Sequence, residues 1–80
     1  MERSIEERLF DRAFRGSSWG RKQFNNDAEK YFGKEARTIA IQMWKDKLLR
    51  INMYGYVNPT KKGYTRYYQL RGEPDSITSQ

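Results

Sequence analysis

Cysteine and histidine are both missing from this chain. Their absence excludes disulfide stapling, thiol nucleophiles, imidazole acid–base chemistry and zinc sites built on either ligand. No glycine-rich phosphate loop is present. No apolar run approaches the ~18 residues that a membrane-spanning helix needs. The opening stretch MERSIEERLF alternates charge with bulk where a secretory signal would be continuously apolar. The carboxylates, chiefly those of the first helix, alternate with bases at surface spacing and do not form a catalytic pair. The expectation is a soluble, intracellular protein that is not an enzyme, with no cofactor, no metal and no small-molecule substrate.

What is present is charge and aromatic bulk. With 80 residues there is room for one domain. Its mean hydropathy of -1.08 leaves a small core. Six Tyr, four Phe and two Trp supply that core, since each ring buries about 150–250 Å². Sixteen Lys and Arg against ten Asp and Glu give a net charge of +6. Residues 1–15 are balanced, residues 16–55 carry eight bases and four acids, and residues 56–71 carry Lys61, Lys62, Arg66 and Arg71 with no acid. A clustered surplus of this kind favours a polyanionic partner.

Periodicity gives the elements. Ser4 and Glu7 have the spacing of a capping box, and Ile5, Leu9, Phe10, Ala13 and Phe14 recur helically as far as Gly16, which predicts a first helix over 4–15. Arg21 to Phe24 reads as a brief strand. Asn26 with Glu29 predicts a short second helix over 26–32, stopped by Gly33. From Glu35 to Met53 there is neither Gly nor Pro, so a long third helix is expected over 35–53. It would bury Ile41, Trp44, Leu48 and Ile51 and turn Thr38, Gln42, Lys45, Asp46 and Leu49 away. Tyr56–Asn58 and Tyr64–Leu70 read as a hairpin around the basic tip Pro59–Gly63, with Tyr68 and Leu70 inward and Tyr67 nearer solvent. The domain is expected over 1–71, with a frayed tail over 72–80.

This order, mainly α with a small β-hairpin, resembles the winged helix-turn-helix family. Leu48, Ile51 and Gly55 match the family's ending of the recognition helix, a Leu-x-x-Leu spacing followed by Gly and a strand. Pro59–Gly63 resembles its wing tip. The stretch from Gly33 to Gly55 is longer than a compact member needs. The resemblance implies binding to double-stranded DNA, with helix 35–53 in the major groove and the wing, 59–66, on phosphates. Thr38, Gln42 and Lys45 are then the groove-facing candidates, Lys34 and Arg37 the phosphate clamps near the helix start, and Lys61, Lys62 and Arg66 the wing contacts. It also implies a transcriptional regulator or another viral, phage or mobile-element factor, cytoplasmic or nucleoid-associated. Pairing of two copies as a homodimer on a palindromic site would multiply the base contacts.

Two other readings stay open. A winged helix can serve as a protein-interaction module, with Leu49 and Met53 as a seam. Tyr64, Tyr67, Tyr68 and Arg66 could instead bind RNA or single strands by stacking.

Overall fold

A computed structural model describes residues 4–72, and the expected tail lies outside the described residues except for Gly72. The elements run α1 (Ile5–Arg15), α2 (Gly20–Phe32), α3 (Lys34–Lys45), β1 (Leu49–Ile51), β2 (Val57–Pro59) and α4 (Lys61–Leu70). The protein is thus mainly helical, with four helices among the described residues and one two-stranded antiparallel hairpin in which Arg50 faces Asn58.

α1 starts and stops where its residues indicate. Ser4 Oγ accepts from Glu7 N–H, and Gly16 ends the helix in the left-handed region at φ 62°. α2 begins earlier than expected, and residues 21–24 are helical, not a strand. Phe24, Ala28 and Phe32 form one i, i+4, i+8 stripe, which overrides the cap signal at Asn26, a residue that lies mid-helix. The strand expected between the first two helices is reduced to a single bridge, Trp19 to Tyr56. α2 passes into α3 through Gly33 alone, at φ 96°.

α3 is shorter than the predicted 35–53. Its last turn closes as a Schellman motif: Lys47 N–H donates to the Trp44 carbonyl and Leu48 N–H to that of Met43, with Lys47 at φ 61°. A lysine in this position gives none of the glycine signal that normally marks a helix end. Leu48 and Ile51 therefore lie outside the helix that they were expected to orient. The stripe that packs inward is Ala36, Ala40 and Met43, so Ile41 is 39% exposed and Trp44 half-buried. Ile51 is 47% exposed on β1, whereas Leu49, expected on the polar side, is buried.

The hairpin sits between 49 and 59, earlier in the chain than the predicted wing, and its turn is residues 52–56. The stretch 64–70, read as a strand from its Tyr and Thr content, is helical. Thr60 caps it, accepting at Oγ1 from Gly63 N–H at 3.0 Å while the same hydroxyl donates to the Lys47 carbonyl at 2.7 Å. Along this helix Gly63 and Tyr67 face inward at i, i+4 spacing. Tyr67 is buried edge-on against Phe10 and Phe14, while Tyr68 and Leu70 are half-buried against the core. Tertiary packing against α1 thus outweighs a β-propensity that spans only ~1 kcal/mol.

The core joins Leu9, Phe10 and Ala13 of α1, Phe24 and Ala28 of α2, Ala36, Ala40 and Met43 of α3, and Leu48, Leu49, Val57 and Tyr67. Asn58 fastens the hairpin to α1 by donating to the Ala13 carbonyl at 2.9 Å. Asp27 joins α1 to α2, accepting from Ser18 Oγ at 2.8 Å and from Arg12 at 3.4 Å.

Candidate nucleic-acid interface

α3 packs with its alanines and Met43 inward, which leaves the opposite face without a partner among the described residues. Lys34, Thr38, Ile41 and Lys45 stand on that face at i, i+4, i+7, i+11 spacing, all exposed. The short side chains Ala36 and Ala40 let α3 lie close to the core while its longer residues project into water. Gln42 is exposed at one edge of this face and donates to Asp46 Oδ1 at 3.0 Å. It borders a groove of about 560 Å³ between α1, α3 and α4, whose walls include Ile39, Met43, Asp46, Lys62 and Arg66.

The expected site residues separate into two groups. No ion pair among the described residues holds Lys34, Lys45, Lys61 or Lys62, and all four are exposed. Lys61 and Lys62 occupy the first turn of α4, not a wing tip, and Lys62 shares the groove with Gln42. Arg37 and Arg66 are engaged elsewhere. Arg37 forks onto Glu29 and Asn26 of α2, which braces the α2–α3 corner. Arg66, on α4, pairs with Glu6 of α1 at 2.9 Å. Its hydrogen bond to Glu6 raises the guanidinium pKa above its ordinary value, with desolvation opposing. It remains a cation throughout, but its charge is largely neutralised locally.

Other residues enter the surface that sequence reasoning did not single out. Arg21, in the first turn of α2, lies with its guanidinium 5.0 Å from the Trp44 ring centroid and lines a shallow pocket with Ile41 and Lys45. Trp44 is held in turn by its indole N–H to Asn25 at 3.1 Å and by an edge-on contact with Phe24. Lys22 and Arg50 are also exposed. The missed signal was the apolar stripe of α2, which places Arg21 and Lys22 at a helix start.

The hairpin turn exposes Met53 at 87% and Tyr54 at 74%. It is joined to the start of α2, because Gly20 N–H donates to the Gly55 carbonyl at 2.9 Å. Gly55 has φ 94°, and a Cβ there would lie 2.3 Å from Trp19 Nε1, so the indole and the turn meet at a position only glycine fits.

Among the described residues no group of His, Cys, Asp and Glu is placed to hold a metal ion, and no helix is long and apolar enough to cross a membrane. No family model, no curated protein and no solved structure matches this chain.

Proposed function

We propose that this chain is a winged helix-turn-helix protein that binds double-stranded DNA, with α3 as the reading helix. The observation that carries the reading is the unpartnered face of α3, where Lys34, Thr38, Ile41 and Lys45 project together beside Arg21 at the start of α2. Such a helix fits a major groove about 12 Å wide, and the α2 start then lies where phosphates run. In this reading the wing is the hairpin 49–59, and Lys61 and Lys62 give charge from the start of α4. Of the three groove-facing candidates, Thr38 and Lys45 stand on this face, with Gln42 reaching bases from its edge once released from Asp46. The proposed activity is binding without catalysis, which fits a transcriptional regulator or a viral or mobile-element factor.

Fluorescence anisotropy of a labelled duplex across a salt series tests it. Each neutralised phosphate contributes about -0.9 to the slope of log K against log salt, so a handful of lysine and arginine contacts gives a slope near -3 to -5. Absence of binding at low salt, or an affinity indifferent to salt, would refute the proposal.

A further inference from the structure

The wing differs from a purely basic one: its tip is apolar. The five residues that link the strands, Asn52 to Tyr56, are held by hydrogen bonds, the first of them from Asn52 N–H to the Tyr56 carbonyl at 2.8 Å. Asn52 Oδ1 accepts from the N–H groups of Tyr54 at 2.9 Å and Tyr56 at 3.1 Å. Asn52 Nδ2 donates to Asn58 Oδ1 at 2.6 Å, and Gly55 N–H donates to the Asn52 carbonyl at 3.0 Å. Behind the turn, the Trp19 indole and the Gly20 N–H fix Gly55 to the start of α2. This bracing serves no internal packing of Met53 or Tyr54, the two most exposed large apolar side chains of the described residues. The turn presents them outward in a fixed conformation.

The surroundings select the partner. Residues 12–26 and 47–72, which supply the turn, both strands and the Trp19–Gly20 segment that braces it, contain no Asp or Glu. Arg21, Lys22 and Arg50 are exposed in the elements that adjoin it. An apolar tip set in an acid-free, cationic collar fits a polyanion with an apolar interior, which is the stacked core of duplex DNA between its phosphates. A second copy of this chain would bring the same cations against themselves.

We infer that Met53 and Tyr54 form a wedge that enters a base step of duplex DNA from the minor groove, unstacks it and bends the helix. Methionine is among the side chains suited to such insertion, and a tyrosine ring stacks on an exposed base irrespective of sequence. A turn already ordered before binding loses little conformational freedom when it inserts. The inference rests on the DNA-binding reading above, and it gives the wing a role in shape rather than in charge.

The test uses the full chain, a duplex carrying donor and acceptor dyes at its ends, and 2-aminopurine placed through the bound site. The intact protein shortens the end-to-end distance and raises 2-aminopurine emission at one step. Met53→Ala combined with Tyr54→Ala, both on exposed side chains, melts like the parent, binds duplex about 10- to 100-fold more weakly and no longer bends it, since each stacked base is worth about a five- to 150-fold factor. The salt slope stays unchanged because no cation is removed. Binding by the parent without bending, or an unaltered affinity in the double variant, overturns the wedge while the DNA-binding reading stands. No duplex binding by the parent overturns both. Self-association in the absence of DNA that the same two substitutions abolish assigns the tip to a second copy and overturns the wedge.

Discussion

Gly63→Ala tests the placement of the last third of the chain. At this position a Cβ would lie 2.2 Å from the Leu48 carbonyl oxygen and 3.2 Å from both Leu48 C and Pro59 Cβ. The obstruction is backbone, so no side-chain rotation relieves it. The same carbonyl accepts from Thr60 N–H at 2.9 Å, and Gly63 N–H is the donor that satisfies the Thr60 cap at 3.0 Å. Displacing α4 far enough to accommodate a methyl group therefore strains two hydrogen bonds as well as the packing of Tyr67.

Overpacking of this kind costs about 1–3 kcal/mol or more. Two weakened hydrogen bonds add about 1 kcal/mol each at most. Against this, alanine is better than glycine within a helix by about 1 kcal/mol. The net expectation is a destabilisation of about 2–3 kcal/mol out of a total near 4–12 kcal/mol for a chain of this length. At about 4–8 °C per kcal/mol for a domain this small, the melting temperature falls by roughly 10–20 °C. Circular dichroism melts of Gly63→Ala against Gln69→Ala, an exposed change in the same helix, measure it. A Gly63→Ala protein that melts with the parent refutes the helix at 61–70 and its packing on Leu48.

Four further outcomes are expected. Lys47→Gly relieves a left-handed residue and raises stability by about 0.5–1 kcal/mol, measured by denaturant midpoint, where Lys47→Ala gives no such gain. Trp44→Ala costs about 2–3 kcal/mol: the half-buried ring leaves a smaller cavity than a fully buried tryptophan would, while Asn25 loses its indole donor. Lys45→Ala makes the salt slope of duplex binding shallower by about one unit, whereas Arg37→Ala and Arg66→Ala leave it unchanged because their charges are paired with Glu29 and Glu6. Thr38→Ala lowers affinity for a preferred sequence by about 1–3 kcal/mol and leaves random duplex nearly unaffected, measured by competition between the two.

The legible parts of the chain were those where local chemistry and tertiary contacts agree. Ser4, Glu7 and Gly16 bound α1 by side-chain and backbone hydrogen bonds made within one turn, so three residues suffice to place it. The illegible parts trace to two residues whose roles depend on distant neighbours. Lys47 ends α3 in a conformation that sequence assigns to glycine, and it is held there by the Thr60 hydroxyl on its carbonyl, 13 residues away. Gly63, which reads as a turn former, sits in a helix because Leu48 leaves no room for a side chain.

These two positions are coupled, and the coupling explains where the candidate site moved. Thr60 bonds to the carbonyl of Lys47 through its hydroxyl and to that of Leu48 through its N–H, so the end of α3 and the start of α4 are one joint with the hairpin folded out between them. A sequence reading that carries α3 through residue 53 must push the hairpin downstream, and with it the wing onto Lys61 and Lys62. Ending α3 at Lys45 returns the hairpin to 49–59 and turns those lysines into the first turn of a helix. It also frees the α3 wheel from Leu48 and Ile51. With the alanine stripe as its inner face, Lys34 and Ile41 join Thr38 and Lys45 on the outer one, and Gln42 moves to the groove edge. The exposed face of α3 is therefore set by its alanine stripe and by where the helix stops, an end closed by its own Schellman bonds and fixed from outside by the bond between residues 47 and 60. Thr60→Val, which keeps the shape and removes the hydroxyl, is accordingly expected to loosen both ends of the joint. It should cost about 1–2 kcal/mol for the lost cap and the unpaired Lys47 carbonyl, and hydrogen exchange should quicken at the Lys47 and Leu48 amides together with that of Gly63. Faster exchange confined to α4 would show that the α3 end stands without Thr60, and the coupling would fail.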